Sequence, residues 1–547
     1  MTKDSKSLMI QGTSSHVGKS VAVAAICRIL KQDGYSVCPF KSQNMALNSY
    51  ITASGGEMGR AQVVQAEACG LEPEVFMNPV LIKPVEDTRA QIIFMGKVLK
   101  NMSASEYDGK KKIFLDKIKE LLDDIKSKFD YVIIEGAGSP AEINLLENDI
   151  VNMRTAVIAK SPVILVGDVD KGGVFASFYG TVKLLPATFQ KYIKGLLVNK
   201  FRGDVSLLQP GNDYIAKKLG IPVLGTIPYF RDIHIEEEDS VNLEREQERA
   251  AFFIRSKGSK EDGRMVIGVI YLPHISNFTD FDALEHEEEV NLIYIRCAAD
   301  LSALDPHMII IPGSKSTISD LIYLRESGIE EEIKKQYNEQ TSVIGICGGY
   351  QMLGQIITDR FKSESKSTGS IEGMGLLDIT TDYLKGKNTY QIEFDLKEAV
   401  RDQFAPYYST LEGLSVYNSQ YGKMKGYEIH MGISKIMESG NDLMPLFNIS
   451  RRGKEEAVMD DGLLRLDREN KKMVMGTYIH GVFDNYIFRR AIVAVLKGFY
   501  NIRSVNTYNS VRSYDDFKQS QYDRLAELFR ENMDMDLFYK ILKGGIQ

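Results

Sequence analysis

The feature of this sequence that most restricts its fold is a series of short, continuous apolar runs bounded by glycine, proline or aspartate. Continuous apolar runs are typical of strands buried on both faces, as in parallel sheets. Stretches with helical spacing separate them, for example Ser20 to Leu30 and Lys111 to Phe129. Strand, helix and strand repeated in this way predict an α/β fold with doubly wound sheets. The runs are Leu8–Ile10, Tyr131–Ile134, Pro162–Val166 and Gly195–Val198 in the first half, then Met265–Ile270, Leu292–Ile295, Met308–Ile311 and Val343–Ile346.

The chain has 547 residues, which is too long for one hydrophobic core and predicts two or more domains. A charged stretch with few apolar residues interrupts the pattern between Ile235 and Gly263. It predicts a linker. We therefore expect a first domain at 1–240, a linker at 241–263, a second domain at 264–500 and a helical segment at 501–547. The sequence leaves open which domain this last segment contacts.

Composition and charge exclude several classes of protein. Hydrophobic residues make up 44% and charged residues 26%, as in soluble globular proteins, and the net charge of -7 argues against nucleic-acid or membrane binding. We expect no transmembrane helix, because no stretch of about 18 apolar residues exists, and no signal peptide. The five cysteines form no CxxC pair. They predict neither a disulfide framework nor a zinc site, and they favour a reducing cytoplasm. Oligomeric state, including a homo-oligomer, stays open.

A glycine-rich loop runs from Gly12 to Ser20, after the first apolar run and before a helix. Its backbone N–H groups and the helix N-terminus can hold phosphate oxygens, with Lys19 on the β- and γ-phosphates and Ser20 on Mg²⁺. Five residues separate Gly12 from Gly18, where the common pattern has four, so the alternative is a chance glycine turn. The predicted nucleotide-binding residues are Gly12, Thr13, His16, Val17, Gly18, Lys19, Ser20 and Asn199.

Polar residues that end neighbouring strands are expected beside this loop, because the carboxyl ends of parallel strands form the ligand crevice. Glu135 is predicted as a second Mg²⁺ contact, and its alternative is a solvated loop carboxylate. Asp168 and Asp170 end the next strand, and Asn199 ends another at a position that often meets a nucleotide base. These last three are weaker predictions than Lys19.

The segment around Cys347 is typical of a strand, a sharp turn and a helix. Flanking glycines allow close backbone approach, and a helix N-terminus lowers the pKa of a thiol. Cys347 is therefore predicted as a nucleophile, with the backbone of Gly313 and Gly348 as candidate oxyanion donors. The alternative is a buried cysteine that acts as a small hydrophobic residue.

A cysteine nucleophile needs a base, and two histidines qualify. His480 follows a short β-like run far downstream, which suits a cysteine–histidine pair separated in sequence. His430 is the rival and can instead be structural. We favour His480 on the context of its motif.

Taken together, these segments resemble the cobyric acid synthase family over nearly the whole chain. The segments that carry the resemblance are QGTSSHVGKS, PFKSQNMALNSY, GGEMGRAQVVQAEA, MNPVLIKP, EGAGSPAEINL, DVDKGGVFA, NKFRGD, LPHISNFTDFDAL, IPGSKST, GICGGYQMLG, GYEIHMG and GTYIHGVFDN.

The resemblance implies a phosphate-loop (P-loop) NTPase-type domain similar to dethiobiotin synthetase, followed by a class I glutamine amidotransferase (flavodoxin-like) α/β domain. It implies Cys347 as nucleophile and His480 as its partner. Ordinary class I domains carry a glutamate two residues after that histidine, where this chain has Val482. The corrinoid branch is similar in lacking it, so the residue that orients His480 stays open.

The activity implied by the resemblance is amidation of the b, d, e and g carboxylates of adenosylcobyrinic acid a,c-diamide, with ATP, Mg²⁺ and glutamine. Lys41, Gln43 and Asn44 are candidate corrinoid contacts. Asp149 is a fourth, and its alternative is a helix cap. The competing functions are a regulatory phosphate-loop ATPase with an inactive second domain and a glutamine-dependent ligase with another substrate.

Overall fold

The structure is a computed structural model that describes residues 6–86, 89–236, 251, 253–254, 263–362, 369–407, 423–437, 442–502 and 514–544. Its contacts divide the chain into two compact units. The first unit comprises Met1–Ala46, Gly56–Glu238 and Asp515–Gln547, and the second comprises Leu47–Gly55 and Asp239–Tyr514. The predicted linker, 241–263, lies almost entirely outside the described residues.

A six-stranded parallel sheet forms the centre of the first unit, and its strands contain the apolar runs that predicted them. The prediction of an α/β fold with parallel sheets is therefore confirmed. The first strand is central, so its carboxyl end opens onto the middle of the sheet edge. In spatial order the strands are Val223–Pro228, Ile193–Phe201, Val163–Asp168, Lys6–Gly12, Tyr131–Glu135 and Val37–Phe40.

Helices and a smaller sheet complete the first unit. The helix Lys19–Gln32 is nearly all apolar in its middle turns, which explains the burial of Ala22 to Leu30 in the core of this unit. The helices are Lys19–Gln32, Arg60–Cys69, Ala104–Asp108, Lys111–Lys128, Met153–Ala159, Val174–Leu184, Ala187–Gln190 and Gln209–Leu219. The smaller sheet consists of Gln43–Met45, Val80–Glu86, Arg89–Phe94 and Lys97–Ser103, and Glu57–Gly59 is a further short strand.

The two helices after the second unit, Tyr514–Asn532 and Met535–Gly544, pack into the core of the first unit from Asp515 onward. Between them, Met533 pairs with Gly225 on the outermost strand of the central sheet. A Cβ at Gly225 would lie only 2.1 Å from a backbone oxygen, so glycine permits this close approach. The pairing protects part of the outer edge of this strand, and the contacts group the residues from Asp515 onward with the first unit.

The second unit has a mixed sheet whose parallel half contains the predicted apolar runs. An antiparallel half, which the sequence did not predict, extends it. In spatial order the strands are Val290–Ile295, Met265–Ile270, Met308–Ile311, Ser342–Ile346, Lys472–Thr477, Glu455–Asp467, Leu443–Arg452, Ile379–Leu396, Ile356–Thr358 and Ser370–Glu372. Met424–Ile436 pairs with Ile379–Leu396 and with the short strand Ile479–His480.

The described helices of the second unit are Asp282–Glu285, Ala298–Leu304, Thr317–Glu326, Ile329–Glu339, Gly348–Met352, Glu398–Phe404 and Tyr486–Tyr500. A segment from early in the sequence, Leu47–Gly55, also belongs to this unit and contains the strand Ser49–Ile51. Thr389 donates a hydrogen bond to Gly55 O at 2.9 Å and helps to hold the segment. Within the described residues, no helix combines the length and apolar character needed to span a membrane.

Candidate functional site

Cys347 lies at a sharp turn between the strand Ser342–Ile346 and the helix Gly348–Met352. Its φ of 50° is positive, a conformation that costs a residue with a side chain about 1–3 kcal/mol. Gly349 permits the turn, because a Cβ there would lie 2.0 Å from Ile311 O. The sulfur lies 3.7 Å from Ile429 O. The strained elbow presents Cys347 as the sequence predicted for a nucleophile.

His480 pairs with Asp280 in the same buried region. The two side chains meet at 2.6 Å between Nδ1 and Oδ2, and the backbone N–H of Gly481 donates to the other Asp280 oxygen at 3.0 Å. Burial lowers the pKa of His480, but the charge and hydrogen bond of Asp280, with a smaller contribution from Cys347, raise it to about 10. His480 is therefore an imidazolium at neutral pH, and Asp280 on Nδ1 leaves Nε2 for the thiol.

Asp280 is the residue that the sequence analysis missed. It lies in the 3-10 turn Phe278–Phe281, 200 positions before His480. Ordinary class I domains orient this histidine with a glutamate at the position where this chain has Val482. Here Asp280 orients His480 instead. The only signal for it was its position inside the segment LPHISNFTDFDAL, and no spacing rule connects it to the histidine.

The rival base, His430, has a different environment. Its Nδ1 donates to Gly432 O at 2.7 Å, and its ring stacks on Tyr478 with 4.0 Å between centroids. Glu428 is 3.9 Å from its Nε2. Nothing in the described part of the chain joins His430 to Cys347 by a hydrogen bond, so the geometry favours His480 as the partner.

Both candidate oxyanion glycines lie close to this pair. A Cβ at Gly313 would be 3.1 Å from Cε1 of His480, and one at Gly348 would be 2.9 Å from Ser314 N. Gly348 is also the first residue of its helix, where backbone N–H groups have no intrahelical acceptor. Their role as oxyanion donors stays a prediction.

The glycine-rich loop of the first unit follows the central strand and leads into the helix Lys19–Gln32. Lys19 Nζ donates to Ser14 O at 2.9 Å and to Gly138 O at 3.2 Å, so the ammonium spans the loop. Asn199 donates to Val17 O at 2.8 Å and thus contacts the loop backbone. The remaining predicted nucleotide contacts lie along the same turn: Gly12, Thr13, His16, Gly18 and Ser20.

The carboxylate of Glu135 lies at this loop and is fully buried. Ser20 Oγ donates to its Oε1 at 2.8 Å and Lys41 Nζ to the same oxygen at 2.9 Å, while Gln65 and Gln62 donate to Oε2 at 2.5 and 3.3 Å. Burial would raise the pKa of Glu135, but Lys41, Gln65 and Ser20 outweigh it and hold the pKa below its usual value. The alternative of a solvated carboxylate is therefore wrong.

The pairing of Ser20 with Glu135 supplies oxygen ligands of the kind that Mg²⁺ prefers. Across the described ranges, no group of three or more His, Cys, Asp or Glu side chains is arranged to hold a metal. The residues therefore fit a Mg²⁺ ion that completes its shell with phosphate and water oxygens, rather than one enclosed by the protein.

The weaker carboxylate candidates of the loop region are paired with cations. Lys200 Nζ lies 3.0 Å from Asp168, and Arg202 lies 2.7 Å from Asp170. Lys200 also donates to His16 O at 2.6 Å, so its ammonium group connects the Asp168 carboxylate to the backbone of the phosphate loop.

The four candidate corrinoid contacts occupy different settings within the first unit. Lys41 is paired with Glu135, Gln43 accepts a hydrogen bond from Tyr107, and Asn44 donates to Gln62. Asp149 accepts three backbone N–H bonds at 2.9–3.1 Å at the start of the helix Met153–Ala159, which is the arrangement of a helix cap. Corrinoid contact by these residues stays a prediction.

Each of the two units matches the model of a known domain family. The CobQ/CobB/MinD/ParA nucleotide binding domain matches residues 8–242, and the CobB/CobQ-like glutamine amidotransferase domain matches residues 266–488. A phosphate loop and a cysteine triad in these domains define a glutamine-dependent amidating ligase.

Proteins with similar sequences show to which family of glutamine-dependent amidating ligases the chain belongs. Cobyric acid synthase of Clostridium acetobutylicum is 47% identical over 98% of this chain and 98% of that protein. The enzymes of the same name from Clostridium botulinum and Clostridium tetani are 46% identical over 98% of this chain, and 99% and 98% of those proteins. The chain belongs to the cobyric acid synthase family, whose work is glutamine-dependent amidation in cobalamin biosynthesis.

Proposed function

We propose that this chain amidates the b, d, e and g carboxylates of adenosylcobyrinic acid a,c-diamide, with ATP, Mg²⁺ and ammonia released from glutamine. The observation that carries the proposal is the presence of two complete reaction centres. The first unit holds Lys19, Ser20 and Glu135, and the second holds the triad Cys347, His480 and Asp280. A regulatory ATPase with an inactive second domain would not need the triad.

The second unit releases ammonia from glutamine. The Cys347 thiolate attacks the side-chain amide carbon, and the N–H groups of Gly313 and Gly348 would donate to the developing oxyanion. His480, held as an imidazolium by Asp280, gives its proton to the departing nitrogen. The bond between carbon and nitrogen breaks, and water then releases glutamate from the thioester.

The first unit activates the carboxylate. A carboxylate does not react with ammonia at neutral pH because oxide is a very poor leaving group. Transfer of the γ-phosphoryl group of ATP gives an acyl phosphate, and ammonia then displaces phosphate. Lys19 would stabilise charge on the phosphates, and Ser20 and Glu135 would hold Mg²⁺, which would neutralise charge on the transferred group. We also propose that the first domain spans residues 1–240 and the second spans residues 264–500.

The test is mass spectrometry of adenosylcobyrinic acid a,c-diamide incubated with enzyme, ATP, Mg²⁺ and glutamine labelled with ¹⁵N in its amide. Incorporation of four labelled nitrogens is the expected result. Cys347→Ala should lose glutamine-driven synthesis and keep synthesis from an ammonium salt, whereas Lys19→Ala should lose both. An unmodified corrinoid, with glutamine hydrolysed and ATP consumed on another acceptor, would overturn the assignment of substrate.

A further inference from the structure

Gln65 has an unpartnered oxygen in the interior of the first unit. Its side chain is fully buried on the helix Arg60–Cys69. Its Nε2 donates to Glu135 Oε2 at 2.5 Å and approaches Ser20 O at 3.5 Å. Its Oε1 is buried and accepts no hydrogen bond from any described residue. A buried acceptor without a donor destabilises the fold, so such an atom indicates a hydrogen-bond partner that the described residues do not supply.

The position of this oxygen follows from amide geometry. The oxygen and nitrogen of one amide group lie about 2.2 Å apart, given the two bond lengths at the shared carbon. Since Nε2 contacts Glu135 Oε2, the free oxygen lies within about 4.7 Å of that carboxylate oxygen. Ser20 Oγ is bound to the other oxygen of the same carboxylate. The unpartnered acceptor is therefore adjacent to both residues that would hold the metal.

We propose that Gln65 is a positioning residue for this metal, with Oε1 accepting a hydrogen bond from a water molecule of the Mg²⁺ hydration shell. Mg²⁺ keeps several of its waters when it binds to one or two carboxylates and a nucleotide, and such waters are good donors. The Gln65 amide would then orient the metal ligand Glu135 through Nε2 and a metal-bound water through Oε1. This proposal rests on the nucleotide and metal site of the proposed function.

Gln62 provides a matched comparison on the same helix. It is also fully buried, and its Nε2 also donates to Glu135 Oε2, at 3.3 Å. Its oxygen, however, accepts a hydrogen bond from Asn44 at 2.9 Å. Gln62 therefore supports the carboxylate without offering a free acceptor, and only Gln65 combines both features.

The experiment measures Mn²⁺ affinity by the loss of its free electron paramagnetic resonance signal, with a non-hydrolysable ATP analogue bound. Gln65→Met should raise the Kd for Mn²⁺ by about 10–100-fold, the usual effect of removing a group that supports a metal ligand or its water. Gln62→Met also removes a hydrogen bond to Glu135, but a longer one, and no water loses its acceptor, so its effect on the Kd should be at least about 3-fold smaller than that of Gln65→Met. Equal effects of the two substitutions, or no effect of Gln65→Met, would overturn the proposal.

Two further measurements make the result specific. In water enriched in ¹⁷O, line broadening counts the waters on Mn²⁺, and the count should be the same in the wild type and in Gln65→Met. One extra water in the variant would overturn the proposal, because the amide oxygen would then itself be a ligand. If Gln65→Met does not fold, Gln65→Glu keeps the acceptor oxygen but replaces the Nε2 donor with a second carboxylate oxygen beside Glu135. Because a bound cation relieves the repulsion between the two carboxylates, this variant should bind Mn²⁺ at least as tightly as the wild type. A tenfold loss in that variant would refute the role.

These binding measurements do not depend on turnover. An enzyme that shows the Gln65 effect but does not amidate the corrinoid would refute the proposed substrate and leave the metal site intact. An enzyme that makes the tetraamidated product but shows no Gln65 effect would support the proposed substrate and refute the role of Gln65.

Discussion

The role of Asp280 in orienting His480 makes a quantitative prediction for Asp280→Asn. Asparagine preserves the size of the side chain and can still accept a hydrogen bond from Nδ1, but it removes the negative charge. The pKa of His480, about 10 in the wild type, is held there against burial mainly by that charge. Loss of an opposite charge within hydrogen-bond distance lowers a histidine pKa by about 1–3 units, or about 1.4 kcal/mol for each unit.

The consequence appears in the pH profile of glutamine hydrolysis. His480 must be protonated to donate to the departing nitrogen, so activity falls as pH rises through its pKa. The alkaline limb should lie near pH 10 in the wild type. In Asp280→Asn it should move down by about 1–3 pH units, which leaves between about 9% and 90% of His480 protonated at pH 8 and lowers kcat/KM for glutamine there by up to about 10-fold.

Glutamate release, coupled to glutamate dehydrogenase, measures this profile from pH 6 to pH 10.5. Ammonium-driven synthesis by the same variant is the control and should be unchanged. Tyr427→Phe is a second control, because Tyr427 stacks on His480 with 5.2 Å between centroids and phenylalanine keeps the ring. An unchanged alkaline limb in Asp280→Asn with less than a threefold loss of activity would refute the reasoning.

Four further predictions concern other residues described above. His430→Gln should keep the alkaline limb of glutamine hydrolysis near its wild-type position, because His430 is bound to a backbone carbonyl rather than to Cys347. With ammonium as nitrogen source, Glu135→Gln should lose synthesis and regain part of it at high Mg²⁺, since a metal ligand is weakened. Asp149→Asn should show no response to Mg²⁺ and should lower the free energy of unfolding by up to about 1 kcal/mol, as expected of a weakened helix cap. Gly349→Ala should lose glutamine hydrolysis and about 1–3 kcal/mol of stability, because its Cβ would lie 2.0 Å from a backbone oxygen.

Each of these predictions has a clear contrary result. A shifted limb in His430→Gln would return that residue to the catalytic pair, and Mg²⁺ rescue of Asp149→Asn but not of Glu135→Gln would exchange the two carboxylate roles. For the glycine, Gly386→Ala is the matched control, because a Cβ at Gly386 meets nothing within 4 Å. Equal stability of the two alanine variants would show that the elbow tolerates a side chain.

Local chemistry explains which parts of the structure could be predicted. The parallel strands were predictable because burial on both faces gives uninterrupted apolar runs, as in Met308–Ile311. The turn at Cys347 was predictable because its glycines are adjacent in sequence. The antiparallel strand Glu455–Asp467 was not, since the apolar Val458 and Met459 are exposed in its first half, so residue type does not alternate with burial there. Asp280 was not predicted because only folding brings it to His480.

The helices that follow the second unit have a consequence for the order in which the protein is made. Phe529, Phe538 and Leu542 complete the apolar interior beneath the first strand, yet the ribosome synthesises them after the whole glutaminase. Until translation has passed the cysteine triad, the nucleotide-binding unit therefore lacks part of its apolar core and the pairing at the edge of its central sheet. A chain that stops before Asp515 would therefore lack part of the apolar packing around Leu8 and Ile10 and the pairing at Gly225.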